Sequence, residues 1–198
     1  MGYTAIFGGT FNPFHIGHYE MLKALEADEN IDEIFLLPDK IPPHKTSDYL
    51  VNDKHRIEMC NIVAADFKKV SVCLCEFERE GKSYSYDTVV FLKEKYPQKQ
   101  FIFAIGGDML VTLDTWYKAD ELVKLIPFIA FMRADTDATL FSNKIASLKL
   151  MGANVFKARE QIPCVSSTFI RNNIEKAQEL LPEKVYDYIK SEAIYGEH

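Results

Sequence analysis

The chain has 198 residues, 47% hydrophobic and 26% charged, which suits a globular domain that buries its core without disulfides or a structural metal. Its 23 Lys and Arg against 29 Asp and Glu give a net charge of -6, arguing against an extended nucleic-acid surface. A small anionic ligand stays admissible, because backbone amides can hold one. Residues 3–7 read as a buried strand ending in a Gly-rich turn. Residues 19–27 read as a helix with Met21, Leu22 and Leu25 on one face. A second strand, 34–37, is stopped by Pro38, and the polar, Pro-containing stretch 39–52 reads as a surface loop. A helix over 53–66 turns Ile57, Cys60, Val63 and Ala64 inward, and a strand follows at 70–75. Residues 87–96 are helical up to Pro97, and the apolar strand 101–105 runs into Gly106-Gly107-Asp108. Helices over 118–125 and 141–150 alternate with strands at 128–132 and 154–156, and helical segments at 168–177 and 183–191 close the chain.

Strands rich in Ile, Phe and Val that alternate with helices predict a parallel sheet covered on both faces. Right-handed crossovers make this a doubly wound α/β fold, a single domain over 1–198 with a C-terminal helical segment. Ligands of such folds sit at the carboxyl ends of the strands, so the turns after Phe7 and Ile105 should meet at one edge of the sheet. The longest apolar run, 125–132, contains Pro127 and is too short to span a bilayer. Residues 1–6 carry no basic leader, so a cytoplasmic protein is expected. Cys60, Cys73, Cys75 and Cys164 form no C-x-x-C pair and read as reduced thiols, with Cys73 and Cys75 on one face of a strand.

Two segments carry chemistry. The first is Gly8-Gly9-Thr10-Phe11-Asn12-Pro13-Phe14-His15-Ile16-Gly17-His18. Glycines directly after a strand let the backbone approach a phosphate, and His15 and His18, three apart, share one side of a helical turn. A tight βα turn with a capping histidine would explain a lone Gly-Gly-Thr, but not both histidines in this order. The second segment is Val165-Ser166-Ser167-Thr168-Phe169-Ile170-Arg171. Ser167 or Thr168 can cap the helix that follows, and Arg171 adds a planar fork of donors.

The first segment resembles the H-x-G-H signature of the nucleotidyltransferase superfamily of adenylyl- and cytidylyltransferases, and the second resembles its I-S-S-T-x-[IV]-R signature. Within that superfamily, Pro42-Pro43-His44-Lys45, the stretch from Gly81 to Thr88, and Ile105-Gly106-Gly107-Asp108 followed by Trp116 resemble the bacterial nicotinate-nucleotide adenylyltransferases. The resemblance extends from Ile6 to Arg171. It implies a Rossmann-like nucleotidyltransferase fold and transfer of AMP from ATP to nicotinate mononucleotide, giving deamido-NAD and pyrophosphate. Mg²⁺ is expected to be carried mainly by ATP, since no dedicated acidic cluster stands in the sequence to ligate it. Asn12 stands where many members have Asp, and Gly107 where Ala is common.

Carried onto this chain, the resemblance implies that His15, His18 and Arg171 are catalytic. Gly8, Gly9, Thr10 and Phe11, with Gly106, Asp108, Ser167 and Thr168, would bind ATP. Asp108 could bind ribose hydroxyls or cap a helix, and the two roles can coexist. Lys45, Thr88, Trp116 and Tyr117 would bind the pyridine nucleotide. Trp116 would stack on the ring, and Thr88 and Tyr117 would offer backbone amides to its carboxylate. Neither nucleic acid nor membrane is an expected partner, and a homo-oligomer is compatible with the sequence. The rivals are a phosphopantetheine adenylyltransferase, a nicotinamide-mononucleotide adenylyltransferase and a non-catalytic nucleotide sensor. His15 and Trp116 count against the first, and two intact signatures count against the last.

Overall fold

A computed structural model describes residues 2–41 and 50–195. They form one six-stranded parallel sheet: β1 (Tyr3–Gly9), β2 (Ile31–Pro38), β3 (Val70–Val72), β4 (Phe101–Gly106), β5 (Phe128–Arg133) and β6 (Val155–Ile162), in the order β3-β2-β1-β4-β5-β6. This is the doubly wound order, whose direction reverses between β1 and β4. The central strands read as continuous apolar runs because both faces are covered. Their alternation sorts them cleanly. Ala5, Phe7, Ile34, Leu36, Ile102 and Ala104 point into one core, and Ile6, Phe35, Leu37, Phe101, Phe103 and Ile105 into the other.

The first core is closed by α1 (Ile16–Ala27), α2 (Asp53–Ala64), α7 (Ser167–Asn172) and α8 (Glu183–Ser191). The second is closed by α3 (Ser85–Lys95), α4 (Gly107–Val111), α5 (Ala119–Leu125) and α6 (Ala138–Leu150). Met21, Leu22 and Leu25 of α1 are buried, as their spacing predicts. On α2 the inward face carries Arg56 and Met59 beside Cys60 and Val63, while Ile57 and Ala64 are only half-buried.

Among the departures from the sequence reading, four bear on the fold. The strand expected over 70–75 ends at Val72, so Cys73 and Cys75 lie beyond it. The helix expected over 168–177 stops at Asn172 and continues as a 3-10 turn at Ile174–Lys176. The short strand expected at 154–156 extends to Ile162. It is an edge strand with only Val155, Ala158 and Ile162 buried, and its charged residues hide its length. Lastly, the five-residue α4 follows β4 directly, too short for periodicity to reveal.

Candidate active site

A cleft of about 550 Å³ opens at the carboxyl ends of β1 and β4, the point where the strand order reverses. It is lined by Gly8 and Gly9 at the end of β1 and by Thr10 beyond it, together with Gly106 at the end of β4 and Asp108 in α4. His15, Gly17 and His18 line the cleft, as do Ser166 and Ser167 of the second signature. Thr88, Trp116 and Tyr117 line the same cleft, so one cavity gathers residues from both signatures and from the segment between them.

The Gly-Gly turn is shaped by what stands behind it. A Cβ on Gly9 would lie 2.9 Å from the Phe11 ring, so no larger residue fits without displacing it. A Cβ on Gly17 would lie 3.1 Å from the His15 ring and 3.3 Å from the Pro163 carbonyl. Glycine there lets the connection between β6 and α7 close onto the histidine turn. Behind the turn, Arg56 is fully buried and donates from Nη1 to the Thr10 carbonyl at 3.0 Å. Its Nη2 pairs with Asp53. The Thr10 hydroxyl donates to Asp39 Oδ2 at 3.1 Å.

The two histidines form a stacked pair, with ring centroids 3.6 Å apart and planes 15° from parallel. His15 is the N-cap of α1 and is 9% exposed. Its backbone N–H donates to His18 Nδ1 at 3.3 Å. A ring nitrogen that accepts a hydrogen bond carries no proton, so a neutral His18 in this contact is the Nε2–H tautomer. The His18 ring also rests on Phe11, edge-on at 5.0 Å, and on Phe14 at 5.2 Å. Phe11 is 1% exposed, so its side chain supports His18 and does not line the cleft.

The second signature is capped one residue earlier than expected. Ser166, not Ser167 or Thr168, is the N-cap of α7, accepting from the Phe169 N–H at 3.2 Å. This follows from the helix starting at Ser167, which therefore occupies its first turn. Arg171 and Thr168 do not line the cleft. Arg171 donates to the Asn12 carbonyl at 2.8 Å and to Thr168 Oγ1 at 3.2 Å. It thereby ties the second signature to the first. Asn12 Oδ1 in turn accepts from the Tyr195 hydroxyl at 2.6 Å.

Asp108 sits in the first turn of α4, whose N-cap is Gly106, so it is not itself the cap. Its carboxylate pairs with Arg133 at 2.9 Å. Arg133 lines the cleft and was missed in the sequence, where nothing distinguishes a cation at the end of β5 from a solvated one. Trp116 is half-buried, edge-on to Phe103 at 6.2 Å, with one side toward the cleft. The Tyr117 ring lies 4.6 Å from that of Tyr84. Among the described residues no hydrogen-bond partner stands against the Tyr117 amide.

Thr88 requires a correction. It lines the cleft, but its backbone N–H donates to the Tyr84 carbonyl at 3.0 Å, the first full bond of α3, and is not free for a ligand. The unpaired amides of that helix belong to its opening turn at Ser85, which also lines the cleft. The signal was the helix start, placed two residues late at Asp87 in the sequence reading. Lys45 and its neighbour His44 lie outside the described residues. Glu76, a buried carboxylate of the cleft wall, was also missed, and no local pattern marks it.

Residues 6–173 match the cytidylyltransferase-like family. A protein of Listeria innocua serovar 6a, named "Probable nicotinate-nucleotide adenylyltransferase", is 36% identical over 193 residues, covering 98% of this chain and 97% of its own. A protein of the same name from Lactococcus lactis is 37% identical over 195 residues, covering 97% and 94%. Among solved structures, the nicotinic acid mononucleotide adenylyltransferase of Plasmodium falciparum complexed with NaAD superposes with a TM-score of 0.80 over 98% of both chains. At 22% identity that likeness speaks for the fold.

Proposed function

The chain belongs to the cytidylyltransferase-like family, and from its cleft and its relatives we propose that it is an adenylyltransferase acting on ATP and nicotinate mononucleotide. The products are deamido-NAD and pyrophosphate, a step of NAD biosynthesis. The observation that carries this reading is the single cleft that holds the H-x-G-H turn, the serines of the second signature, and the Trp116–Tyr117 and Ser85 segments together.

A phosphate oxygen of the acceptor attacks the α-phosphorus of ATP. The new P–O bond forms as the bond to the bridging oxygen of the β-phosphate breaks, and pyrophosphate leaves. The attacking phosphate is already anionic, so no general base is required. The work is positioning and charge stabilisation. Gly9 and Thr10 allow close approach of the triphosphate, at the N-terminus of the twelve-residue α1. His18 donates from Nε2 to the phosphoryl oxygens, with His15 stacked against it. Ser166 and Ser167 supply hydroxyls from the start of α7. Asp108, held by Arg133, offers its carboxylate to ribose hydroxyls. Trp116 stacks on the pyridine ring, and the Tyr117 and Ser85 amides receive its carboxylate.

Mg²⁺ belongs to the reading as a companion of ATP, where it neutralises phosphate charge. Among the described residues no three His, Cys, Asp or Glu side chains converge as a metal cage. That donor set fits a cation that keeps its water and phosphate ligands. Asp39, an aspartate of the cleft, would hold it from outside. Among the described residues no helix is long and apolar enough to cross a membrane; a cytoplasmic location is part of the proposal. The test is pyrophosphate release from ATP with nicotinate mononucleotide, its amide and phosphopantetheine in parallel. The acid should be turned over best. Faster turnover of either alternative would reassign the acceptor, and ATP binding without any turnover would favour the sensor.

A further inference from the structure

The pocket proposed for a carboxylate contains a carboxylate of its own. Glu76 lines the cleft and is 7% exposed. Its Oε1 accepts from Thr88 Oγ1 at 2.7 Å, and Thr88 Oγ1 accepts from Arg79 Nη2 at 2.6 Å. A hydroxyl has one hydrogen, so this chain runs in one sense, from Arg79 through Thr88 to Glu76. The Tyr84 carbonyl, at 3.1 Å from Thr88 Oγ1, is the more distant acceptor. Arg79 Nη2 and Glu76 Oε1 are 4.0 Å apart, the outer limit of an ion pair, and Glu76 Oε2 is buried with no hydrogen-bond partner among the described residues. Thr88 sits in the opening turns of α3, whose first amides face the same cleft.

Two anions brought into one cleft repel. An acid-binding site with an unneutralised Glu76 would therefore select against its own substrate. The neighbouring Lys118 does not resolve the conflict. It is exposed, over the Tyr86 ring at 4.5 Å, and solvent screens it. Arg79 is only 21% exposed, its guanidinium lies over the Phe91 ring at 5.6 Å, and it is linked to Glu76 by the Thr88 hydroxyl. We propose that the Glu76–Thr88–Arg79 chain determines selectivity, with Arg79 neutralising Glu76 so that the amides of α3 and Tyr117 set the sign of the pocket. Arg79 acts through Thr88 and Glu76 and is a positioning residue. The inference rests on nicotinate mononucleotide being the acceptor.

The two partners must then act in opposite directions, which a merely structural role would not produce. The readout is the ratio of kcat/KM for nicotinate mononucleotide to that for its amide. Glu76→Gln keeps the acceptor oxygen for Thr88 and removes the charge, so the ratio should rise several-fold. Arg79→Met keeps the apolar stem over Phe91 and removes the cation, so the ratio should fall about tenfold. Arg79→Lys should hold the ratio near the wild-type value. Shifts of the same sign in Glu76→Gln and Arg79→Met, or no shift in either, would overturn the proposal. Should Arg79→Met fail to fold, Glu76→Gln decides alone, and an unchanged or lowered ratio refutes the chain. A wild type that does not prefer the acid refutes the acceptor assignment instead, before any variant is compared.

Discussion

Replacing Arg56 by Met removes a buried guanidinium that holds the turn following β1. Arg56 is fully buried and anchors the Thr10 carbonyl at 3.0 Å. Losing a hydrogen bond from a charged donor costs about 1.5–3 kcal/mol. The pair with Asp53 adds little, about 0–1 kcal/mol, because the Asp53 side chain is 47% exposed and regains water. Against this, Arg56 Nε is buried with no partner among the described residues, so a well-fitted Met recovers part of a desolvation cost. The net is a destabilisation of about 1–3 kcal/mol, or roughly 2–12 °C in Tm for a chain of this size. The effect on catalysis should exceed the effect on stability. Thr10 lines the cleft, and a displacement near 1 Å at a reacting group can cost about 10²-fold in rate. We therefore expect kcat/KM for ATP to fall about 10- to 10²-fold at a temperature where thermal denaturation shows the variant folded. Arg56→Lys, which gathers its donors on a single nitrogen, should fall between. A folded Arg56→Met enzyme with wild-type kcat/KM would show that the turn holds its shape without this anchor.

His18→Ala should lower kcat by about 10²-fold or more with a smaller change in ATP affinity, as for a preorganised donor, and steady-state kinetics with ATP titrations separate the two. Arg171→Lys keeps the charge but cannot span the Asn12 carbonyl and Thr168 Oγ1 together. It should raise KM for ATP and spare KM for the pyridine nucleotide, and unchanged constants for both would detach Arg171 from the ATP side. The neighbouring Cys75 thiol and backbone pull the Cys73 pKa down to about 7, while the Cys73 thiol and then burial push Cys75 up. Cys73 is thus protonated and inert below about 7 and a thiolate above it. Its alkylation, followed by mass spectrometry, should rise through neutral pH, whereas Cys60, raised by burial, stays unmodified.

The two-core architecture was legible because alternation along the central strands is strict: Ile6 and Phe7 fall on opposite faces, as do Phe35 and Leu36. Residues fixed by local chain geometry were also legible, such as the histidine pair three apart and the glycines that end β1. What stayed hidden depends on distant partners. Arg56 on an amphipathic helix looks solvated until the Thr10 carbonyl, 46 residues away in sequence, is brought against it. Arg133 meets Asp108 across 25 residues, and Glu76 meets Thr88 only when the turn after β3 packs on α3. The cap at Ser166 and the start of α3 at Ser85 were displaced by one and two residues, because adjacent Ser, Thr and Tyr residues offer several equivalent starts.

The fate of the α-phosphorus tests the central claim most directly. ATP labelled at that atom, incubated with the enzyme, Mg²⁺ and nicotinate mononucleotide, should pass its label into the dinucleotide, with unlabelled pyrophosphate released in equal amount. Label recovered as free AMP or inorganic phosphate, or a pyridine product that carries none, would contradict transfer of AMP at this cleft.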